Sequence, residues 1–257
     1  MIIIGWNCRG LGNRRAVEVL TELVRRKDPT ILFLMETKRN VREMEPIKTE
    51  LGFQSMLAVS SEGRQGGLAL LWKTEVVVDT NTYSPHHIDA KVIPYSGQPW
   101  RLTGIYGYAE EQQKSETWRL LRHLRSRSTL PWVCLGDYNE ILSSKEKNGG
   151  LPKPLPPMLE FCSALLFCGL IDLRYSGYRY TWRNGRDEEA FVEERLDRVC
   201  ATVTWSELHP RAKVFHLTST YSDHDPVLLD TTPVSAPTPR RRHKLHRFEE
   251  MGVSPGV

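Results

Sequence analysis

The last strongly structured stretch of the chain reads Tyr221-Ser222-Asp223-His224-Asp225-Pro226. A carboxylate directly beside an imidazole can manage a bound cation and a proton together. Four other segments add what this stretch lacks: Trp6-Asn7-Cys8, Met35-Glu36-Thr37, Gly136-Asp137-Tyr138-Asn139 and Arg195-Leu196-Asp197-Arg198. Polar residues here terminate apolar runs. Asn7, Glu36, Asp137 and Asn139 each follow one, and Asp223-His224 precedes one. Strand ends at one edge of a sheet gather side chains on rigid supports. One acid at a strand end is ordinarily only solvated. Three acids, two amides and a histidine in such places predict a shared site.

These residue types suit cleavage of a phosphodiester. A hard cation must neutralise phosphate charge, and Mg²⁺ is held by one or two carboxylates plus waters. Glu36 is the first candidate ligand and Asp223 the second. A base must take the proton of the attacking water, a role open to His224 or Asp137. Asp197 suits the carboxylate that orients the histidine and holds its imidazolium. Asn7, Asn139 and Tyr106 are neutral donors for the non-bridging oxygens.

The elements that must position these groups follow from hydrophobic patterning. Buried strands are predicted at Met1–Gly5, Ile31–Met35, Leu68–Trp72, Trp100–Tyr106, Pro131–Leu135 and Val227–Leu229. Sheet strands are also expected at Glu75–Thr80 and Ala90–Ile93, and at Tyr178–Trp182 and Ala190–Val192 around Asn184-Gly185. Helices are predicted at Arg14–Lys27, Glu110–Arg127 and Met158–Cys168, the last closed by Gly169. Leu151–Pro157 holds four prolines and reads as a loop. Strands outnumber helices without strict alternation, which argues α+β with much antiparallel pairing. One domain over residues 1–231 is expected, followed by a basic, disordered tail over 232–257.

The composition is that of a soluble globular chain, with 40% hydrophobic and 26% charged residues among 257. Of the 35 Lys/Arg and 31 Asp/Glu, residues 231–257 carry five and two. The remaining 30 basic and 29 acidic residues nearly balance, so net charge says little about the partner of residues 1–230. Five cysteines without a C-x-x-C pair read as reduced thiols in a reducing, intracellular compartment. The opening Met-Ile-Ile-Ile is too short for a signal peptide, and no apolar run approaches a membrane span. A monomer is expected.

The chain resembles the endonuclease/exonuclease/phosphatase superfamily over about residues 1–230. The motifs run in the family's order: Trp6-Asn7, Met35-Glu36, Gly104-Ile105-Tyr106, Gly136-Asp137-Tyr138-Asn139, Arg195-Leu196-Asp197 and Ser222-Asp223-His224. The resemblance implies a four-layer α/β/β/α sandwich of two mostly antiparallel sheets flanked by helices. It implies Glu36 as main metal ligand with Asn7 and Asp223 nearby, and Asp137 and Asn139 at nucleophile and phosphate. It further implies Asp197 and His224 as a carboxylate–histidine pair, and Tyr106 as a phosphate contact. Trp6-Asn7-Cys8-Arg9-Gly10-Leu11-Gly12, Phe33–Lys38 and Tyr180-Thr181-Trp182 resemble the abasic-endonuclease-like domain of non-LTR (LINE-type) retroelements. No Tyr-x-Asp-Asp polymerase motif occurs among the 257 residues, so no reverse transcriptase is expected of them.

The resemblance implies a Mg²⁺-dependent DNA endonuclease, Mn²⁺ being an alternative ion, that nicks one strand, in the nucleus where chromosomal DNA is the target. A non-catalytic, DNA-binding retroelement remnant is the alternative from another class, and a phosphatase of the same fold a third. Arg9 stands where abasic-site endonucleases commonly carry a carboxylate. That puts a second metal site in question and makes Arg9 a candidate DNA contact. Arg14, Arg15, Lys38, Arg39, Arg183 and Arg186 are the other cations expected near DNA, with Tyr180 and Trp182 as aromatic surface.

Overall fold

The apolar runs at the start of the chain form two parallel strands, β1 (Ile2–Asn7) and β2 (Ile31–Met35), with Asn7 opposite Met35. Helix α1 (Arg14–Lys27) crosses between them. Asn13 caps it by accepting from the Ala16 N–H (2.9 Å), and Arg25, Arg26 and Lys27 complement the dipole at its far end. The structure is a computed structural model and describes residues 1–63, 66–185 and 190–232. The tail expected beyond Thr232, and Arg186, lie outside the described residues.

The chain continues through α2 (Val41–Glu50), β3 (Ser55–Val59), β4 (Leu68–Trp72), β5 (Val76–Ser84), β6 (His87–Pro94) and β7 (Trp100–Tyr106). Next come α3 (Lys114–Ser126), β8 (Trp132–Asp137), β9 (Lys147–Asn148), α4 (Leu155–Cys168), β10 (Leu170–Asp172) and β11 (Tyr175–Ser176). The last elements are β12 (Trp182–Arg183), β13 (Glu193–Glu194), β14 (Asp197–Thr202), α5 (Val203–Leu208), β15 (Lys213–His216) and β16 (Val227–Asp230). One sheet has the order β11-β15-β16-β1-β2-β4-β3 and the other β10-β14-β8-β7-β6-β5. Among the described residues only β1–β2, β11–β15 and β7–β8 pair in parallel. A small third sheet, β12-β13-β9, is linked to the residues ahead of β16 by an isolated bridge of Trp182 to His224.

Alternating side chains make four layers of these elements. Ile31, Phe33, Leu68 and Leu70 of one sheet meet Leu102, Val133, Leu135 and Val199 of the other in the central core. Ile4, Trp6, Leu32 and Leu34 face the opposite way, under Val17 and Leu20 of α1 and Met44 of α2. Ile105, Trp132 and Cys134 likewise pack under Trp118 and Leu121 of α3 and Phe161 of α4. The expected sandwich of two mostly antiparallel sheets flanked by helices is therefore the observed fold.

Several local expectations need correction. Helix α4 begins at Leu155, inside the segment expected to be a loop, because Pro156 and Pro157 fall in its first turn. There a missing N–H costs nothing. Helix α2 carries Pro46 and was not expected, yet an Asn40/Glu43 capping box starts it and Met44 and Ile47 bury its inner face. The predicted hairpin strands are displaced: the first lies at Trp182–Arg183, Tyr178 O instead accepting from His216 Nδ1 at 2.7 Å, and the second lies at Glu193–Glu194, beyond the expected Ala190–Val192. Strands β3 and β15 and helix α5 were not expected either.

Candidate active site

Topology explains why the polar strand ends meet. Strands β1, β2, β7 and β8 end at one edge of the sandwich because each parallel pair is joined by a helical crossover, α1 or α3. Strands β14 and β16 run antiparallel to their neighbours, so they begin at that same edge. Register then sets Tyr106 beside Asp137, and Asp137 beside Asp197. Residues 223 and 224 lie just ahead of β16.

The side chains form one connected network. Asn7 Nδ2 donates to Glu36 Oε1 and to Asp137 Oδ2, both at 3.0 Å, and so joins the two sheets. The Tyr106 hydroxyl donates to Glu36 Oε1 (3.1 Å). Asn139 N donates to Asp137 Oδ1 (2.9 Å), while its side-chain amide donates to Gly107 O (2.9 Å). His224 Nδ1 lies 2.8 Å from Asp197 Oδ2, and its Nε2 lies 3.7 Å from Asp137 Oδ2. Asn7, Asp137, Asp197 and His224 are buried; Glu36, Tyr106 and Asn139 are half-buried. Arg9, Glu36, Lys38 and Asn139 all have φ between 51° and 54°, a left-handed conformation rare outside glycine. The only other such residue among those described is Asp28, which ends α1. Such backbone gathers at functional sites, where the surroundings must hold it in place.

Charge in this network is arranged by burial and by partners. Burial opposes ionisation of Glu36, but the Asn7 hydrogen bond and the nearby Arg9 and Lys38 outweigh it and hold the carboxyl below its usual range. Burial pushes Asp137 up to about 6, and the neighbouring Asp197 adds to the rise. Burial opposes the His224 imidazolium, yet Asp197 and Asp137 on either side raise it to about 10. His224 is thus a cation at neutral pH, clamped between two carboxylates.

Asp223 stands one step outside the network. Its Oδ2 accepts from Trp182 Nε1 (3.0 Å), and Arg9 Nε lies 3.3 Å from its Oδ1. Trp182 also packs on Ile141, Met158 and Leu196, so it is half core residue and half site residue. Arg183 pairs with the buried Asp225. Among the cations expected near DNA, Arg14 pairs with Glu18 and Glu50, and Arg39 with Glu43. Arg15 lines a separate hollow with Trp6 and Thr218. Lys38 stays beside Glu36, at 3.5 Å.

Three supporting residues escaped sequence reasoning. Ser222 Oγ donates to Asn7 O (2.7 Å) and accepts from His224 N (3.1 Å), tying the two ends of the site together. Thr181 Oγ1 accepts from Leu196 N (3.0 Å) and Asp197 N (2.9 Å). Trp6 Nε1 donates to His224 O (3.0 Å). All three adjoin residues singled out by type, and that adjacency was the only signal available.

Two groups of ligands can hold a metal. Asp137, Asp197 and His224 each offer an atom within 4.8 Å of the others, though a cation there competes with the imidazolium proton. Glu36 is held ionised, its Oε1 accepting from the Asn7 amide and the Tyr106 hydroxyl, and it faces a cavity of about 410 Å³. Its carboxylate oxygens are of the kind that suits a hard divalent cation.

The structure is similar to several solved ones. A 3′-5′ exonuclease from Neisseria meningitidis superposes with a TM-score of 0.69 at 20% identity, covering 90% of this chain and 99% of that one. An AP endonuclease from Archaeoglobus fulgidus gives 0.66 at 17% identity, covering 90% and 98%. The endonuclease domain of TRAS1, a telomere-specific non-LTR retrotransposon, gives 0.62 at 14% identity, covering 89% and 97%. At these identities the likeness is one of fold. No curated protein sequence matches significantly. The model of the Endonuclease/Exonuclease/phosphatase family matches residues 4–224, from β1 to the histidine of the network. By that match and by its fold, the chain belongs to the endonuclease/exonuclease/phosphatase family.

Proposed function

We propose that the chain is a Mg²⁺-dependent DNA endonuclease that nicks one strand, with Mn²⁺ able to replace Mg²⁺. Family members are hydrolases of phosphoesters and generally use divalent metals. One observation carries the reading: a continuous chain of contacts from Glu36 through Asn7 and Asp137 to His224 and Asp197 at a single edge. A remnant released from selection has no reason to retain it.

Glu36 would hold the cation, with Asn7 beside it and Asp223 joining the same site once its Oδ1 is freed from Arg9. The bound cation supplies neutralisation of phosphate charge. Asp137 is the group better suited to take the proton of the attacking water, because His224 is already protonated at neutral pH. Water oxygen bonds to phosphorus as Asp137 takes its proton, the bond from phosphorus to the 3′ oxygen breaks, and that oxygen takes a proton from solvent, leaving a 3′-hydroxyl and a 5′-phosphate. His224, held by Asp197, would place positive charge at the phosphate, and Asn139, through the second N–H of its amide, and Tyr106, on releasing Glu36, would donate to its oxygens.

Supercoiled-plasmid nicking tests this directly. Nicking is expected with Mg²⁺, lost with EDTA, and lowered at least about 100-fold by Glu36→Ala or His224→Ala. Equal nicking by His224→Ala and the parent chain would sink the mechanism. Hydrolysis of a phosphoinositide panel without nicking would favour the phosphatase reading.

A further inference from the structure

Three rings lie nearly parallel outward from Glu36. Tyr106 bonds to Glu36 through its hydroxyl. The His86 ring is tilted only 8° from the Tyr106 ring, with centroids 6.0 Å apart. Tyr108 stacks on His86 at 3.6 Å and 20°. Hydrogen bonds fix this ladder in place. Tyr106 N donates to His86 O (2.9 Å), and His86 Nδ1 bonds Tyr106 O (2.9 Å). Tyr108 N donates to Thr117 Oγ1 (3.0 Å). All three rings are half-buried, and neither His86 nor Tyr108 has a part in the reaction described above.

The hollows around the ladder share walls. His86 and Tyr108 line the cavity that holds Glu36, Arg9 and Lys38. The same two rings line a second hollow of about 580 Å³, which reaches Arg119 and His123 on α3. Arg9 is shared in turn with a hollow lined by Lys147, Trp182 and Asp223. The hollows thus lie side by side along the active edge, with cations beside Glu36 and rings beyond.

Charge separates two ligands for the ring end. Glu62 and Glu110 stand in the wall there, and Glu116 lies further along. A phosphate would meet carboxylates, whereas a neutral nucleobase can stack on the rings and donate its amino groups to the acids. Only a base free of its duplex stack can do this. Resting on the nuclease reading above, we propose that His86 and Tyr108 form a stacking platform for one unpaired nucleobase next to the phosphate at Glu36. The enzyme then favours DNA with an unpaired nucleotide beside the cut over continuous duplex.

A phosphorothioate-linked DNA duplex carrying one unpaired 2-aminopurine, titrated in Mg²⁺ buffer, reads stacking as quenched fluorescence. The parent chain is expected to quench it and to bind it more tightly than the fully paired duplex. Tyr108→Ala should weaken binding roughly 5- to 100-fold, and Tyr108→Phe, which keeps the ring, should restore it. Unchanged quenching in Tyr108→Ala, or equal affinity for paired and unpaired DNA, overturns the platform. Quenching by a chain that nicks no plasmid supports the platform and counts against the nuclease reading. Plasmid nicking without quenching overturns the platform alone.

Discussion

His224 sits between two carboxylates, Asp197 at 2.8 Å and Asp137 at 3.7 Å, and its charge depends on both. Asp197→Asn keeps the shape of the pair and removes the charge that holds the imidazolium. We expect nicking to fall by about 10- to 1,000-fold while the melting temperature stays within a few degrees, with plasmid nicking and thermal melting as the measurements. Ser222→Ala removes the two bonds that tie His224 N and Asn7 O together. Each is a neutral bond worth about 1 kcal/mol, so a modest stability loss and a larger kcat loss are expected, read by urea unfolding and initial rates. At this scale the sequence was informative about residue type and poor about partners. Asn7, Glu36, Asp137, Asp197 and His224 are recognisable as reactive groups at strand ends. That Arg9 rests on Asp223 is not, because nothing in Trp6-Asn7-Cys8-Arg9 points to a loop beyond residue 220.

Elements hold the site through their ends, and Gly136 shows how tightly. It precedes Asp137 with φ at 142°, and a Cβ there would lie 2.0 Å from Ile105 O on the adjacent strand β7. No rotamer relieves a clash with backbone. Gly136→Ala should cost at least about 3 kcal/mol, seen as a melting temperature roughly 5–10 °C lower. An unchanged melting point would mean that β7 and β8 do not meet as described. Gly104 serves the same pairing of layers, since a Cβ there would enter the Phe33 ring at 2.5 Å. Elements with a clear apolar period, such as α1, β2 and β8, were legible in the sequence. Those that lacked one were not. Helix α2 hides behind Pro46 and α4 behind its first-turn prolines, while β12 and β13 are two-residue strands set by contacts from elsewhere.

For the whole molecule, acid stability rests on buried groups away from the site. Burial holds His216 down to about 4 from 6.5, and its Nε2 has no hydrogen-bond partner among the described residues. Glu146 is buried too, but Arg198 and Arg195 outweigh that and hold it at about 2 rather than 4.5. Both folded values lie below the unfolded ones, so both contributions are complete above about pH 6.5 and shrink as pH falls. His216 loses its share between pH 6.5 and 4, and Glu146 between 4.5 and 2, each on the order of 2–3 kcal/mol. The change in urea-unfolding free energy between pH 7.5 and 5 should therefore differ by about 2 kcal/mol between the parent chain and His216→Gln, a comparison in which the opposite contributions of Asp137 and His224 cancel. The same pH dependence in His216→Gln and the parent chain would contradict the neutral, buried imidazole. No helix among the described residues is long and apolar enough to cross a membrane, and the five cysteines are free thiols. Local patterning alone established the α+β class and the reactive residue types, because apolar period and strand-end polarity are local properties of the chain; the four layers followed only from the family resemblance. Tertiary structure alone decided which of those groups touch. Asn7 reaches Asp137 across 130 residues, and the register of two crossovers and the packing of two sheets, neither written in any local pattern, bring them to 3.0 Å.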